Sequence, residues 1–234
     1  MSINPYLSPA RIHLPSPLFA LNSPEALRAR QYLIGRGFDP DELATIWGLS
    51  YCPVSTSPAP AFQDRIVIPI TKVPPFGMGD PTEESLVGWQ ARVITEGVEP
   101  KYLFATGTKK SHVLYGLPSA RKCEGPVILV EGPTDVWRFG SNAVAFFGKS
   151  VSAAQLLLLL SNFRGRPLVF IFDRDADAKC RKYQTQLLQT RRQWQDFAPV
   201  LIGQLPEGRE DIGECTRQEA WDTVTKALHS VAAG

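Results

Sequence analysis

The chain reads as an α/β protein built on a parallel sheet flanked by helices, with an α+β region ahead of it. Three observations carry that reading. Two apolar runs, Val127-Ile128-Leu129-Val130 and Leu168-Val169-Phe170-Ile171-Phe172, are continuous rather than alternating, as strands covered on both faces are. Each is followed by a helix-compatible stretch. From Gly125 onward strand and helix then alternate, over 127–131, 134–140, 143–147, 151–163, 168–173, 176–193, 199–204 and 216–231, the order of a parallel sheet with crossover helices.

Residues 1–22 carry Pro5, Pro9, Pro15 and Pro17 among small polar residues and read as an extended arm. Ser23-Pro24-Glu25 then offers an N-cap, a proline at the first helical position and an acid in the first turn, so a helix should run through Ala26 to Ile34 and stop near Gly37. Asp39-Pro40-Asp41-Glu42 starts a second helix the same way, reaching Trp47. Pro53 to Pro60 is a turn-rich connector. Arg65-Ile66-Val67-Ile68-Pro69-Ile70 and Leu86 to Val93 read as strands, Pro69 favouring an edge or a strand end, and Pro74 to Glu84 between them as a mobile loop. The expected division is an arm over 1–22, an α+β subdomain over 23–120 and the parallel α/β domain over 121–234.

Composition narrows the function. A chain of 234 residues can bury a real core, and 25 basic against 23 acidic residues give a net charge of +2, so any surface for nucleic acid must be local. Cys52, Cys123, Cys180 and Cys215 lie far apart with no Cys-x-x-Cys pair, which argues against a zinc ribbon and a disulfide scaffold and fits a reducing cytoplasm. No basic-then-apolar leader follows Met1, and the run Ala153 to Leu160 is too short to span a bilayer, so a soluble cytoplasmic protein is expected. Leu156 to Leu160 read as a core helix buried nearly all round.

Both apolar runs end in acids: Glu131 closes the first, and Asp173 and Asp175 close the second. In an open parallel sheet ligands collect outside the carboxyl ends of the strands, so these acids should converge on one crevice and share a metal ion. Oxygen-only donors suit Mg2+ or Mn2+, which lean on one or two carboxylates and on substrate phosphates, making a phosphate ester or anhydride the expected substrate. Asp135 reads equally as a helix-start acid that binds nothing. One capping acid per helix start is ordinary, whereas Asp173-Arg174-Asp175-Ala176-Asp177 sets three acids against one another and calls for a cation or solvent.

Glu131-Gly132-x-x-Asp135 after one strand and Asp173-x-Asp175 after a later one resemble the Toprim domain of primases, topoisomerases and some nucleases. Asp64 to Ile70, Gly88-Trp89-Gln90-Ala91-Arg92, Pro100-Lys101-Tyr102-Leu103 and Leu114-Tyr115-Gly116-Leu117 resemble, in that order, the catalytic core of bacterial replicative primases. Tyr32-Leu33-x-x-Arg36-Gly37 followed by Trp47-Gly48-Leu49 is similar to its opening. The resemblance spans about residues 24 to 215 and implies a Toprim-type sheet with an N-terminal α+β subdomain. It also implies template-directed synthesis of short primers from nucleoside triphosphates on single-stranded DNA. Glu131, Asp173 and Asp175 would hold Mg2+ or Mn2+ ions bridging the triphosphate and the attacking hydroxyl, with Asp135, Asp177 and Asp211 as further metal ligands. Ile212 stands where the family carries proline after the last of these acids, and Glu210 is the alternative ligand there.

Arg92 and Lys101 match basic positions that face nucleotide or template in primases, and Lys109 and Lys110 precede Leu114-Tyr115. A solvated lysine pair is the plain alternative for the last two. Lys149, in Phe147-Gly148-Lys149, is placed either to approach a phosphate or merely to turn the chain. Trp89 and Tyr102 read first as core and second as a stacking platform, and Arg181-Lys182 and Arg191-Arg192 as the solvated face of a long helix. The zinc-binding and helicase-linked domains of cellular primases have no counterpart in the sequence, which leaves a separate zinc-binding or helicase partner and an origin in a phage or mobile element as expectations. Two rivals remain: a Toprim metal-dependent nuclease, and a non-catalytic single-strand DNA-binding accessory protein.

Overall fold

The computed structural model describes residues 12–54, 62–74 and 83–232, with the side chains of 231 and 232 left aside. The first eleven residues of the arm, the connector from 55 onward and most of the 74–84 loop, with the mobility expected of it, therefore lie outside the described residues. Two compact units emerge, one up to Ile70 with Leu86–Thr108 and one of Thr71–Ser85 with Lys109 onward.

In the first unit helix α1 spans Leu27–Gly35, preceded by a 3-10 turn at Pro24–Ala26. Ser23 flanks that turn, but its hydroxyl makes no capping bond. Helix α2, Pro40–Trp47, is capped as expected, the Asp39 carboxylate accepting from the backbone N–H groups of Asp41 and Glu42. Five strands form an antiparallel sheet in the order β1-β2-β3-β4-β5: Phe19–Ala20, Ser50–Cys52, Arg65–Lys72, Ser85–Val93 and Tyr102–Phe104. Strand β3 is interior rather than an edge. Its pairs with β2 run from Arg65 to Val67, so Pro69 lies beyond them, where its missing N–H removes no bond to β2. Cys52, Val67, Trp89, Ala91 and Ala105 form one buried cluster of the unit, and Leu21, Leu33, Ile66 and Ile68 are buried as well.

The second unit carries the expected parallel sheet. Strands β6 (Val127–Val130), β7 (Ala143–Ala145), β8 (Leu168–Phe170) and β9 (Val200–Ile202) lie in the order β7-β6-β8-β9, every pair parallel. Val127 to Val130 are all inaccessible to solvent, which is why the run is continuous. Helices α3 (Leu117–Arg121), α4 (Pro133–Phe139), α5 (Ala153–Asn162), α6 (Asp177–Gln193) and α7 (Arg217–Ala232) complete it. The core joins Leu129, Val144, Phe146, Phe170 and Phe172 to Leu159, Leu160, Tyr183 and Leu187. Helix α5 corrects one expectation, because Leu157 is 54% exposed and only one side of the leucine run is covered. No helix among the described residues is long and apolar enough to cross a membrane. All four cysteines are free.

Candidate metal and nucleotide site

Strand order decides where the acids meet. β6 and β8 are neighbours in parallel register, Leu129 opposite Phe170, so both chains leave the sheet at the same edge. Glu131 follows β6 directly. The ladder continues one bond past β8, with the Ile171 N–H donating to the Leu129 carbonyl at 2.9 Å, and delivers Asp173 beside Glu131. The Asp173 backbone N–H donates to Glu131 Oε1 at 3.3 Å.

The electrostatics are those of crowded, partly buried anions. Burial and then the Asp173 charge push the Glu131 carboxyl up to about 7, against the pull of Lys149. Asp135 is also pushed up to about 7, first by burial and then by the charges of Asp173 and Asp211, although the Gly132 N–H donates to its Oδ2 at 2.8 Å. Asp135 thus holds the start of α4 and belongs to the cluster at once. Burial raises Asp173 as well, with Asp211 adding to it and Lys149 opposing. Asp211, exposed, turns its Oδ1 to the Glu214 N–H at 3.1 Å while its charge acts on Asp135 and Asp173.

Lys149 is the cation of this group. Its Nζ lies 3.6 Å from Asp173 Oδ2 and is hydrogen-bonded to Asp175 Oδ1. That bond holds the Asp175 carboxyl below the usual range and the ammonium above its own. Asp177 stands exposed at the first residue of α6, where its charge helps raise the Cys180 thiol, pushed chiefly by burial to about 12.

Two arginines that the sequence left unremarked build the surroundings. Arg174, between the two aspartates, donates from Nε to the Arg209 carbonyl at 2.7 Å and from Nη2 to that of Pro206 at 2.6 Å, fixing the segment that presents Asp211. Arg138 reaches the Gly213 carbonyl at 3.1 Å from the other side. An arginine between acids is a weak signal, because sequence alone reads it as their counter-ion rather than a brace for backbone carbonyls.

The remaining basic candidates fall in two places. Lys109 and Lys110 are exposed in the second unit, and the buried Gln155 amide fixes their segment by donating to the carbonyls of Lys110, Val113 and Phe146 at 3.0–3.1 Å. Arg92 and Lys101 belong to the first unit. Arg92 is buried, its Nε donating to the Tyr32 hydroxyl at 2.8 Å and its Nη1 to that of Tyr102, with both rings in cation–π contact. Lys101 is exposed, its ammonium 6.0 Å from the Tyr102 ring centre. Beside it Arg65, 2% exposed, donates to the carbonyls of Ala91, Pro100 and Lys101. Trp89 is core, as first read, its indole N–H donating to the His13 carbonyl at 2.8 Å.

Among the described residues no group of three or more His, Cys, Asp or Glu side chains is placed to hold a metal ion by itself. The donor set nonetheless fits a hard divalent ion. It offers carboxylate oxygens only, two of them on acids that resist ionising without a cation, and ions of this kind complete their shells with water and phosphate.

No family model and no curated protein matches the chain. Solved structures do. The zinc-binding and RNA polymerase domains of the Aquifex aeolicus primase match at 26% identity and a TM-score of 0.67, over 91% of this chain and 57% of that one. A DNA primase domain from Pseudomonas aeruginosa matches at 25% identity and 0.64, over 90% and 74%. A DnaG primase catalytic domain bound to single-stranded DNA matches at 24% and 0.64, again over 90% and 74%. A likeness that covers about nine-tenths of the residues takes in both units, and the chain therefore has the fold of the bacterial DnaG primase catalytic core, Toprim sheet included.

Proposed function

We propose that the chain is a primase-like nucleotidyltransferase that joins nucleotides into short primers on a single-stranded DNA template, in a metal-dependent reaction with release of pyrophosphate. One observation carries the reading: Glu131, Asp173, Asp135 and Asp211 act on one another at the carboxyl edge of the sheet, their charges balanced in part by Lys149. Such a cluster is costly to ionise and is made useful by a cation that brings phosphate with it. That likeness to a primase core solved on single-stranded DNA, and to another solved on double-stranded DNA, favours a nucleic-acid template.

Glu131, Asp173 and Asp175 would gather Mg2+ or Mn2+, with Asp135 and Asp211 supporting and Asp177 at the rim. Such an ion, held there, would supply positive charge against the negative charge that develops in phosphoryl transfer. The chain's own residues do the rest. Asp173 and Glu131 hold each other in place through the Asp173 N–H. Arg174 keeps the Asp211 segment against the site. Exposed Lys101, Lys109 and Lys110 supply positive charge for triphosphate or template, and Arg92 orders the tyrosines beside Lys101. Free, mostly buried thiols suit a reducing cytoplasm. A separate zinc-binding or helicase partner would supply template choice, in the setting of a phage or mobile-element replicon.

The test is incubation of the purified chain with single-stranded templates, labelled ribonucleotides or deoxynucleotides and Mg2+ or Mn2+, with Asp173→Ala in parallel. New oligomers that vanish in the variant are the expected result. Shortened template without synthesis would replace the reading with a nuclease, and template binding indifferent to Glu131→Gln, without either product, with an accessory protein.

A further inference from the structure

Lys149 does not reach the acids by chance of a long side chain. Phe147 and Gly148 before it have φ of +63° and +137°, a backbone path that a phenylalanine rarely takes. The path is held: the Gly148 N–H donates to the Glu131 carbonyl at 2.9 Å, and the Phe147 ring meets Tyr115 edge-on at 6.3 Å. A lysine that only needed solvent would require none of this. Its ammonium is shared unequally. Asp175, 69% exposed on its side chain, is hydrogen-bonded to Lys149, whereas Asp173 Oδ2 lies 3.6 Å from the ammonium, whose charge also reaches Glu131.

We infer that Lys149 is a resident cation standing in for one of two divalent ions, so that the nucleotide-free protein admits a single divalent ion, on the Glu131 and Asp173 side, while Asp175 stays on the ammonium. This rests on the metal reading above. A second ion at Asp175 would have to displace a hydrogen-bonded ammonium or lie within a few ångströms of it, and like charges at that range oppose each other even where solvent screens them. Because Asp175 is exposed the penalty is moderate, roughly tenfold in the affinity of the second ion.

Mn2+ titration followed by electron paramagnetic resonance, on the full chain without nucleotide, reads the stoichiometry directly. Wild type and Lys149→Arg should bind one ion per chain. Lys149→Gln should take up a second, roughly tenfold tighter than any second ion on wild type, and Lys149→Gln combined with Asp175→Asn should lose it again. Asp175→Asn alone should leave the single ion in place, a reading that holds even if Lys149→Gln proves poorly folded by circular dichroism. Two ions of similar affinity on wild type, no gain in Lys149→Gln, or loss of the single ion in Asp175→Asn would each overturn the inference. No Mn2+ on any variant, Lys149→Gln included, would instead remove the metal reading on which it rests.

Discussion

The backbone N–H of Asp173 donates to the Glu131 carboxylate at 3.3 Å, so the acid after β8 and the acid after β6 are fixed to each other before any ligand arrives. Glu131→Gln keeps an oxygen that can accept that bond while removing the charge. We expect it to fold and to melt no lower than wild type, and to lose primer synthesis by orders of magnitude, because charge placement is most of what such a site contributes. Steady-state synthesis on a single-stranded template, beside a thermal melt, checks both halves. Synthesis within a few fold of wild type would remove Glu131 from the chemistry.

Without divalent ions, stability should depend on pH in an uncommon direction. Glu131 and Asp135 have carboxyls pushed up to about 7, far above the ordinary carboxylate range. A carboxyl raised in the folded state binds its proton more tightly there than in the unfolded chain. Its stabilising effect is therefore complete below the ordinary range and is lost as pH rises to about 7. Melting temperature in chelator should thus fall as pH rises from the ordinary carboxylate range to about 7 and level off above it, and Mg2+ or Mn2+ should restore most at the upper end. A Glu131→Gln, Asp135→Asn double variant should flatten the slope, and an equally steep slope in that variant would refute the assignment.

Which features were legible follows from how local their causes are. The strands of the parallel sheet and the acids at their ends were readable because burial on both faces leaves a continuous apolar run, and the edge where a run ends is where its next residue projects. The cap of α2 was readable for the same reason, Asp39 reaching only two and three residues ahead. Long-range partners were not. Lys149 lies 26 residues from Asp175, and no spacing rule joins the turn after β7 to the turn after β8. Arg92 reads as a surface base, yet it is buried against Tyr32, 60 residues away. Interior position also overrode a local rule at Pro69, tolerated in β3 because its neighbour β2 is only three residues long.

Gly116 should not accept a side chain. Its φ is +81°, and a Cβ there would lie 2.5 Å from the Ala143 carbonyl oxygen, at the start of β7. The preceding residue is tied to the far end of that strand, Tyr115 and Ala145 exchanging backbone hydrogen bonds at 3.0 Å, so the turn cannot move away without breaking both. Left-handed strain and backbone overlap together should make Gly116→Ala cost roughly 2–4 kcal/mol. Urea unfolding should show an earlier midpoint at unchanged slope. Gly125→Ala makes the matched control, since φ is +79° there and nothing lies within 4 Å, leaving the strain alone.

Arg191 and Arg192 are adjacent in sequence and read alike, yet a helix turns about 100° per residue and sends them to opposite environments. Arg192 is exposed, whereas Arg191 is 1% exposed and pairs with the buried Asp196 at 3.3 Å. Its Nη1 and Nη2 also serve the carbonyls of Ala198, Pro199, Phe163 and Arg166, between 2.8 and 3.3 Å, which closes the segments entering β8 and β9. Burial alone pulls the guanidinium down, and the Asp196 charge opposes that pull. Arg191→Met would leave the buried Asp196 carboxylate without its counter-ion and take one donor from each of four carbonyls, and removing one partner of a buried pair costs about 3–5 kcal/mol. Arg192→Met should stay within about 0.5 kcal/mol of wild type. Denaturant midpoints for the two variants decide it: similar values would mean that the Arg191 pair adds nothing to the stability of the fold, and a wide gap would identify it as the clamp at the amino end of the parallel sheet, opposite the acids.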